Sequence, residues 1–140
     1  MSFKTDTPSV LFVCVKNGGK SQMAAGLMDK VAGGSVTTAS AGTMPGSAVN
    51  ALSAEVLAEV GVDISRNTPR QVTAEDQGRA DVVVILGPEA QIDEVDGTRY
   101  ERWTTDEPSE RGIEGIDRMR LVRDDILARV TALHATLTTP

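Results

Sequence analysis

Unbroken apolar runs of strand length alternate along the chain with stretches in which apolar residues return every three or four positions. Residues 9–15 (Ser-Val-Leu-Phe-Val-Cys-Val) and 81–86 (Asp-Val-Val-Val-Ile-Leu) have no polar face, which predicts strands buried on both sides. Val36–Ser40 predicts a shorter strand, and Glu101–Trp103 a short last one. Between them, Met23, Ala24, Leu27, Met28 and Val31 predict a helix over 21–32 that stops at Gly33-Gly34. Leu52, Val56, Leu57 and Val60 predict a helix over 50–60, with Gly61 in the C-terminal capping position. Thr73-Ala-Glu-Asp opens a short N-capped helix. Met119, Val122, Ile126, Val130 and Leu133 predict a long final helix from about 113 to 137. Residues 62–72 and 104–112 read as irregular, and Gly87-Pro88 ends the third strand.

Fully apolar strands alternating with helices predict an α/β domain, a three-layer sandwich with a central parallel four-stranded sheet. With no repeat or linker, residues 1–140 read as one domain. Ligands of such sheets sit beyond the carboxyl ends of the strands. The Cys14 loop, the Ser40–Thr43 turn and the Gly87 turn should therefore border one site.

One Trp, one Tyr and two Phe leave the core to aliphatic side chains. The net charge of −6 argues against nucleic acid or an anionic membrane surface as a partner, since either needs a basic face. An anion must instead be captured by a local site working against the overall field. No apolar run approaches the roughly 18 to 20 residues of a membrane span, and the polar start Met-Ser-Phe-Lys lacks a signal-peptide core; a cytoplasmic protein is expected. The lone cysteine permits no internal disulfide and fits a reducing compartment, so any redox chemistry at Cys14 must take its second thiol from another molecule. One Cys and one His do not make a zinc site, and no metal is expected; His134 reads as a surface or packing residue.

Chemistry concentrates in residues 10–21, Val-Leu-Phe-Val-Cys-Val-Lys-Asn-Gly-Gly-Lys-Ser. A strand runs into a glycine-containing loop that opens with Cys14 and closes at a helix start, so the backbone N–H groups of Val15 to Ser21 and the helix's positive end converge on one point. That is a cradle for a tetrahedral oxyanion, and a thiol at its mouth favours the thiolate. Gly18 and Gly19 let the backbone curl, Asn17 shapes the loop, and Lys20 supplies a cation. Lys16 either attracts the anion or faces solvent. Ser21 either caps the helix or donates its hydroxyl to the Cys14 sulfur. Gly19-Lys20-Ser21 also ends a nucleotide-binding loop, but that pattern's first glycine is replaced by Cys14 and strand 82–86 ends without an acid. No nucleotide is expected.

The chain resembles the low-molecular-weight protein tyrosine phosphatase superfamily, whose loop reads Cys, five residues, Arg, Ser or Thr. Within it the chain is most similar to the arsenate reductase branch that depends on mycothiol, the arsenate-mycothiol transferases. The likeness is carried by Val10–Ala25, Ser-Ala-Gly-Thr at 40–43, Glu59–Asp63, and Glu101–Asp125 with its R-W-x-x-D-E-P and R-M-R-x-V-R-D. The resemblance implies Cys14, Lys20, Ser21 and Asp106 as catalytic residues, with arsenate held by Val15, Lys16, Asn17, Gly18, Gly19, Lys20 and Ser21. Asp106 would be the general acid that lets oxygen leave as water; Glu107 is the adjacent candidate. It further implies mycothiol as co-substrate and a redoxin, mycoredoxin, that reduces the arseno-thiol adduct to arsenite. Thioredoxin-coupled relatives carry extra cysteines, which this chain lacks.

Lys20 stands where the phosphatases place arginine, and an ammonium is a point charge rather than a fork for two oxygens. No aromatic lies in the loop, and Asp106 is followed by Glu107-Pro108 instead of Pro-Tyr, so an aryl phosphate has little to stack on. The alternatives are a small phosphatase using Cys14 as nucleophile, and a non-catalytic oxyanion sensor.

Overall fold

The computed structural model describes residues 3–139; Met1, Ser2 and Pro140 of the expected domain lie outside them. Four strands, β1 (Ser9–Cys14), β2 (Thr37–Gly42), β3 (Val82–Leu86) and β4 (Arg99–Trp103), form one parallel sheet in the order β2-β1-β3-β4. The helices are α1 (Lys20–Ala32), α2 (Ala51–Ala58), α3 (Ala74–Arg79) and α4 (Gly115–Thr138), with a 3-10 turn at Pro108–Arg111. No described helix is long and apolar enough to cross a membrane.

Side chains of the central strands alternate between two cores. Val10, Phe12, Val82, Val84 and Leu86 join Trp103 against α1, α2 and α4. Leu11, Val13, Val83 and Ile85 face the other way, with Ala41, Ala80 and Ala90. Burial on both faces is why β1 and β3 read as unbroken apolar runs. Phe12 and Trp103 meet at 5.9 Å between ring centroids, joining β1 to the edge strand across β3.

Several boundaries move for physical reasons. The strand expected at 36–40 is Thr37–Gly42, because β2 follows β1 in register until Gly42 lies opposite Cys14, and its end is gripped by a bridge to Gln71 in the stretch read as irregular. Val15 leaves the strand for the loop. Helix α2 ends at Ala58, before the expected Val60, and Gly61 (φ 81°) follows in the turn. The loop expected over 104–112 contains the 3-10 turn, and α4 begins at Gly115. The short helix at 74 is capped as read, by a reciprocal Thr73–Asp76 box.

Glu59, just past α2, ties that helix to α4 by ion pairs to Arg120 (2.7 Å) and Arg123 (2.8 Å). Hydrogen bonds from Arg120, reinforced by Arg123, pull its carboxyl down from 4.5 to about 2 against the opposing effect of partial burial. A depressed folded-state pKa contributes stability above the unfolded value, lost as pH falls through the folded one. Glu59→Gln is therefore expected to lower the Tm at neutral pH. Thermal melts should show the gap to the unsubstituted protein closing as pH falls from 4.5 to about 2.

Candidate active site

Cys14 ends β1 at the carboxyl edge of the sheet, and residues 15–19 bend from there into α1, whose N-cap is Gly19. The cap makes no side-chain hydrogen bond, so Ser21 is not the capping residue. Its hydroxyl lies 3.0 Å from Cys14 Sγ. Asn17 Nδ2 donates to the same hydroxyl oxygen at 2.8 Å, which leaves the Ser21 proton to point at sulfur. The Asn17 backbone N–H also donates to Sγ, at 3.2 Å. The Cys14 sulfur is thus fixed by two contacts from its own loop.

Asn17 holds the loop. It is fully buried and takes the left-handed conformation at φ 53°, which Asn tolerates better than most residues. Its Oδ1 accepts from the Arg70 backbone N–H (3.1 Å) and from Gln22 Nε2 (3.3 Å). Gln22, itself buried, also donates to Asn17 O and accepts from Asn67 Nδ2 at 3.0 Å. This network joins the loop to α1 and to the segment before α3. Sequence reading missed Gln22 as a loop-holding residue; the available signal was an amide on the apolar face beside Met23.

The loop's carbonyls are taken by the segment after β2. Thr43 N–H donates to Cys14 O (3.1 Å), Met44 to Val15 O (2.8 Å), Gly46 to Lys16 O (2.9 Å) and Asn50 to Gly18 O (2.6 Å). Gly42 is required here, since a Cβ on it would sit 2.6 Å from Val15 O and 3.0 Å from Asn17 N. The Ser40–Thr43 segment thus borders the loop as expected. The Gly87 turn bonds to β4, through Gly87 N–H to Trp103 O and Arg102 to Gly87 O.

The candidate acids arrive from the far side of the sheet. Asp106 is clamped by both guanidinium nitrogens of Arg111 (2.8 and 3.0 Å), and its N–H donates to Asp125 of α4. Glu107 is held in the same way by Arg118, at 2.6 and 3.1 Å. Arg111 lowers the Asp106 pKa, and Arg118, aided by the Lys20 charge, lowers that of Glu107. Glu107 is thus in electrostatic reach of the loop's lysine. A cleft of about 460 Å³ opens beside the loop, with Lys16, Gly18, Gly19 and Lys20 on one side and Arg118 on the other. His134 lies away from these groups, paired with Ser35 Oγ at 2.8 Å.

Residues 9–140 match the family model for low molecular weight phosphotyrosine protein phosphatase. The chain belongs to that family. Among its relatives is an arsenate reductase of Halalkalibacterium halodurans, 33% identical over 135 residues that cover 91% of this chain and 95% of the relative. A glutaredoxin arsenate reductase of Synechocystis is 30% identical over 91% of this chain and 97% of its own length. The solved Corynebacterium glutamicum thioredoxin-dependent arsenate reductase superposes with a TM-score of 0.80 at 32% identity; the match covers 96% of this chain and 63% of that one. The four-stranded parallel sheet with its helices is the fold of this family.

Proposed function

We propose that the protein is an arsenate reductase of the single-cysteine type, an arsenate-mycothiol transferase. One observation carries this reading: the chain's only thiol, Cys14, sits at the mouth of an oxyanion loop with two donors on its sulfur, so the electrons that reduce arsenate have to come from outside. Two of the reductases similar to it are named for a reductant, glutaredoxin in one and thioredoxin in the other.

In the proposed reaction, backbone N–H groups of residues 15–21 and the Lys20 ammonium hold arsenate. Cys14, its sulfur held between Ser21 and Asn17, assists attack on the bound arsenic. Mycothiol then forms a sulfur–arsenic bond as an arsenic–oxygen bond breaks, and the oxygen leaves as water with a proton passed through Asp106. Arsenic remains pentavalent to this point. Mycoredoxin then attacks the mycothiol sulfur, the sulfur–arsenic pair stays on arsenic, and arsenite departs with a mixed disulfide left behind. A reducing cytoplasm supplies both partners.

The deciding assay measures arsenite formed from arsenate with mycothiol, mycoredoxin and its reductant, omitting each in turn, beside an aryl phosphate assay without thiol. Arsenite only in the complete system upholds the reading. Aryl phosphate cleavage without arsenite makes the protein a phosphatase, the second reading, which the family match favours. Lys20→Arg separates the two further: restoring the guanidinium fork is expected to raise aryl phosphate hydrolysis by about tenfold, the scale of one added charge-assisted hydrogen bond in the transition state.

A further inference from the structure

The cleft beside the loop is much larger than a tetrahedral oxyanion, and its volume of about 460 Å³ is that of a small-molecule pocket. It runs from Lys20 past Ala48 and Asn50 to Arg118 and Met119 on α4. Its lining contains three cations, Lys16, Lys20 and Arg118, and no carboxylate, in a protein whose net charge is −6. Lys20 is committed to the oxyanion. Arg118 has no partner in the loop; it holds Glu107 with Nε and Nη2, while Nη1 meets only the Met119 sulfur at 3.7 Å. A donor edge of a fixed guanidinium therefore remains for a second ligand.

We propose that this cleft seats the external low-molecular-weight thiol, and that Arg118 is the cation beside which the thiol's sulfur approaches the oxyanion. The inference rests on the transferase reading. Its physical basis is the meeting of two anions: a thiolate and arsenate repel each other, and a cation between them offsets that repulsion where water is displaced. The thiol gives up its proton, its sulfur bonds to arsenic, and that proton leaves with the arsenate hydroxyl as water. The groups that set the field at Arg118 are Glu107, which pairs with it, Glu114, which adds negative charge, and Lys20 across the cleft. Ala48 is an exposed side chain on the opposite wall, where the carrier part of the thiol would rest.

The test measures arsenite formation against pH and thiol concentration, with mycothiol and with 2-mercaptoethanol, for Arg118→Met, Arg118→Lys and Ala48→Trp. Arg118→Met is expected to raise the KM for mycothiol about tenfold and to move the acidic limb of the rate profile up by about one pH unit, with Arg118→Lys recovering most of both. Ala48→Trp should raise the KM for mycothiol far more than that for 2-mercaptoethanol. Arsenate protection of Cys14 from iodoacetamide should change by less than about threefold in all three variants. An unmoved limb and KM in Arg118→Met, or a loss of arsenate protection as large as the loss of thiol affinity, overturns the proposal. If no thiol yields arsenite, the transferase reading itself fails. Binding of S-methylmycothiol by NMR then decides the cleft: binding abolished by Ala48→Trp upholds it, and no binding to the unsubstituted protein overturns it.

Discussion

Cys14→Ser is expected to reduce thiol-dependent arsenite formation by about 10,000-fold, the scale on which removing one member of a catalytic unit acts. A serine hydroxyl stays protonated at neutral pH, so the donors that suit an anionic sulfur, Ser21 Oγ and the Asn17 N–H, gain no charge to stabilise. The substitution removes the reactive anion and leaves the cradle, because Cys14 holds the loop through its backbone carbonyl as well. Phosphate or arsenate binding, read by calorimetry, should therefore survive while arsenite production falls to background. Substantial residual activity would show that the external thiol attacks bound arsenate without help from Cys14. Ser21→Ala distinguishes the sulfur's environment from the sulfur itself: it should slow alkylation of Cys14 at neutral pH by about tenfold, the loss of one hydrogen bond to a charged group.

Asn17→Ala is expected to be the most damaging substitution for folding. It removes the acceptor for the part-buried Arg70 N–H and for Gln22, and the donor to Ser21. Gln22 keeps the residue 17 carbonyl and Ser21 keeps the sulfur, so the Arg70 N–H is the group left unpaired, at about 1–3 kcal/mol, and a left-handed alanine adds about 1–2 kcal/mol. A total of about 2–5 kcal/mol is a large part of the stability of a domain this size. Asn17→Gly removes the same hydrogen bonds without the backbone cost, so denaturant titrations should place it about 1 kcal/mol above Asn17→Ala. Both variants should lose oxyanion affinity, because the side chain that fixes the loop to the Arg70 backbone and to Gln22 is gone. Equal stabilities for the two would mean that the backbone at 17 relaxes out of the left-handed region once its side chain is gone.

The parts of this protein that were legible in its sequence are those whose physics is local. Strands β1 and β3 showed themselves because both faces are buried, and Cys14 to Ser21 because one short segment carries the whole cradle. Strand β2 was cut short at Ser40 in the reading because Ala41-Gly42-Thr43 looks like a turn; pairing with β1 carries the strand through Gly42. The arginines were the least legible. Arg111 clamps Asp106 from five residues away, and Arg118 reaches Glu107 across eleven. In sequence each looks like any solvated charge. Asp106 was found by resemblance, but its tight pairing with Arg111 appears only once the 3-10 turn folds back on it.

The carbonyls of Cys14, Val15, Lys16 and Gly18 all accept from amides of residues 43–50. The cradle and that segment are thus zipped together along their backbones, and neither opens without the other. In amide hydrogen exchange they are expected to open as one cooperative unit. An anion that tightens the cradle should slow deuterium uptake at Met44, Gly46 and Asn50 even where it touches none of them, giving a readout of occupancy from a stretch of chain that performs no chemistry.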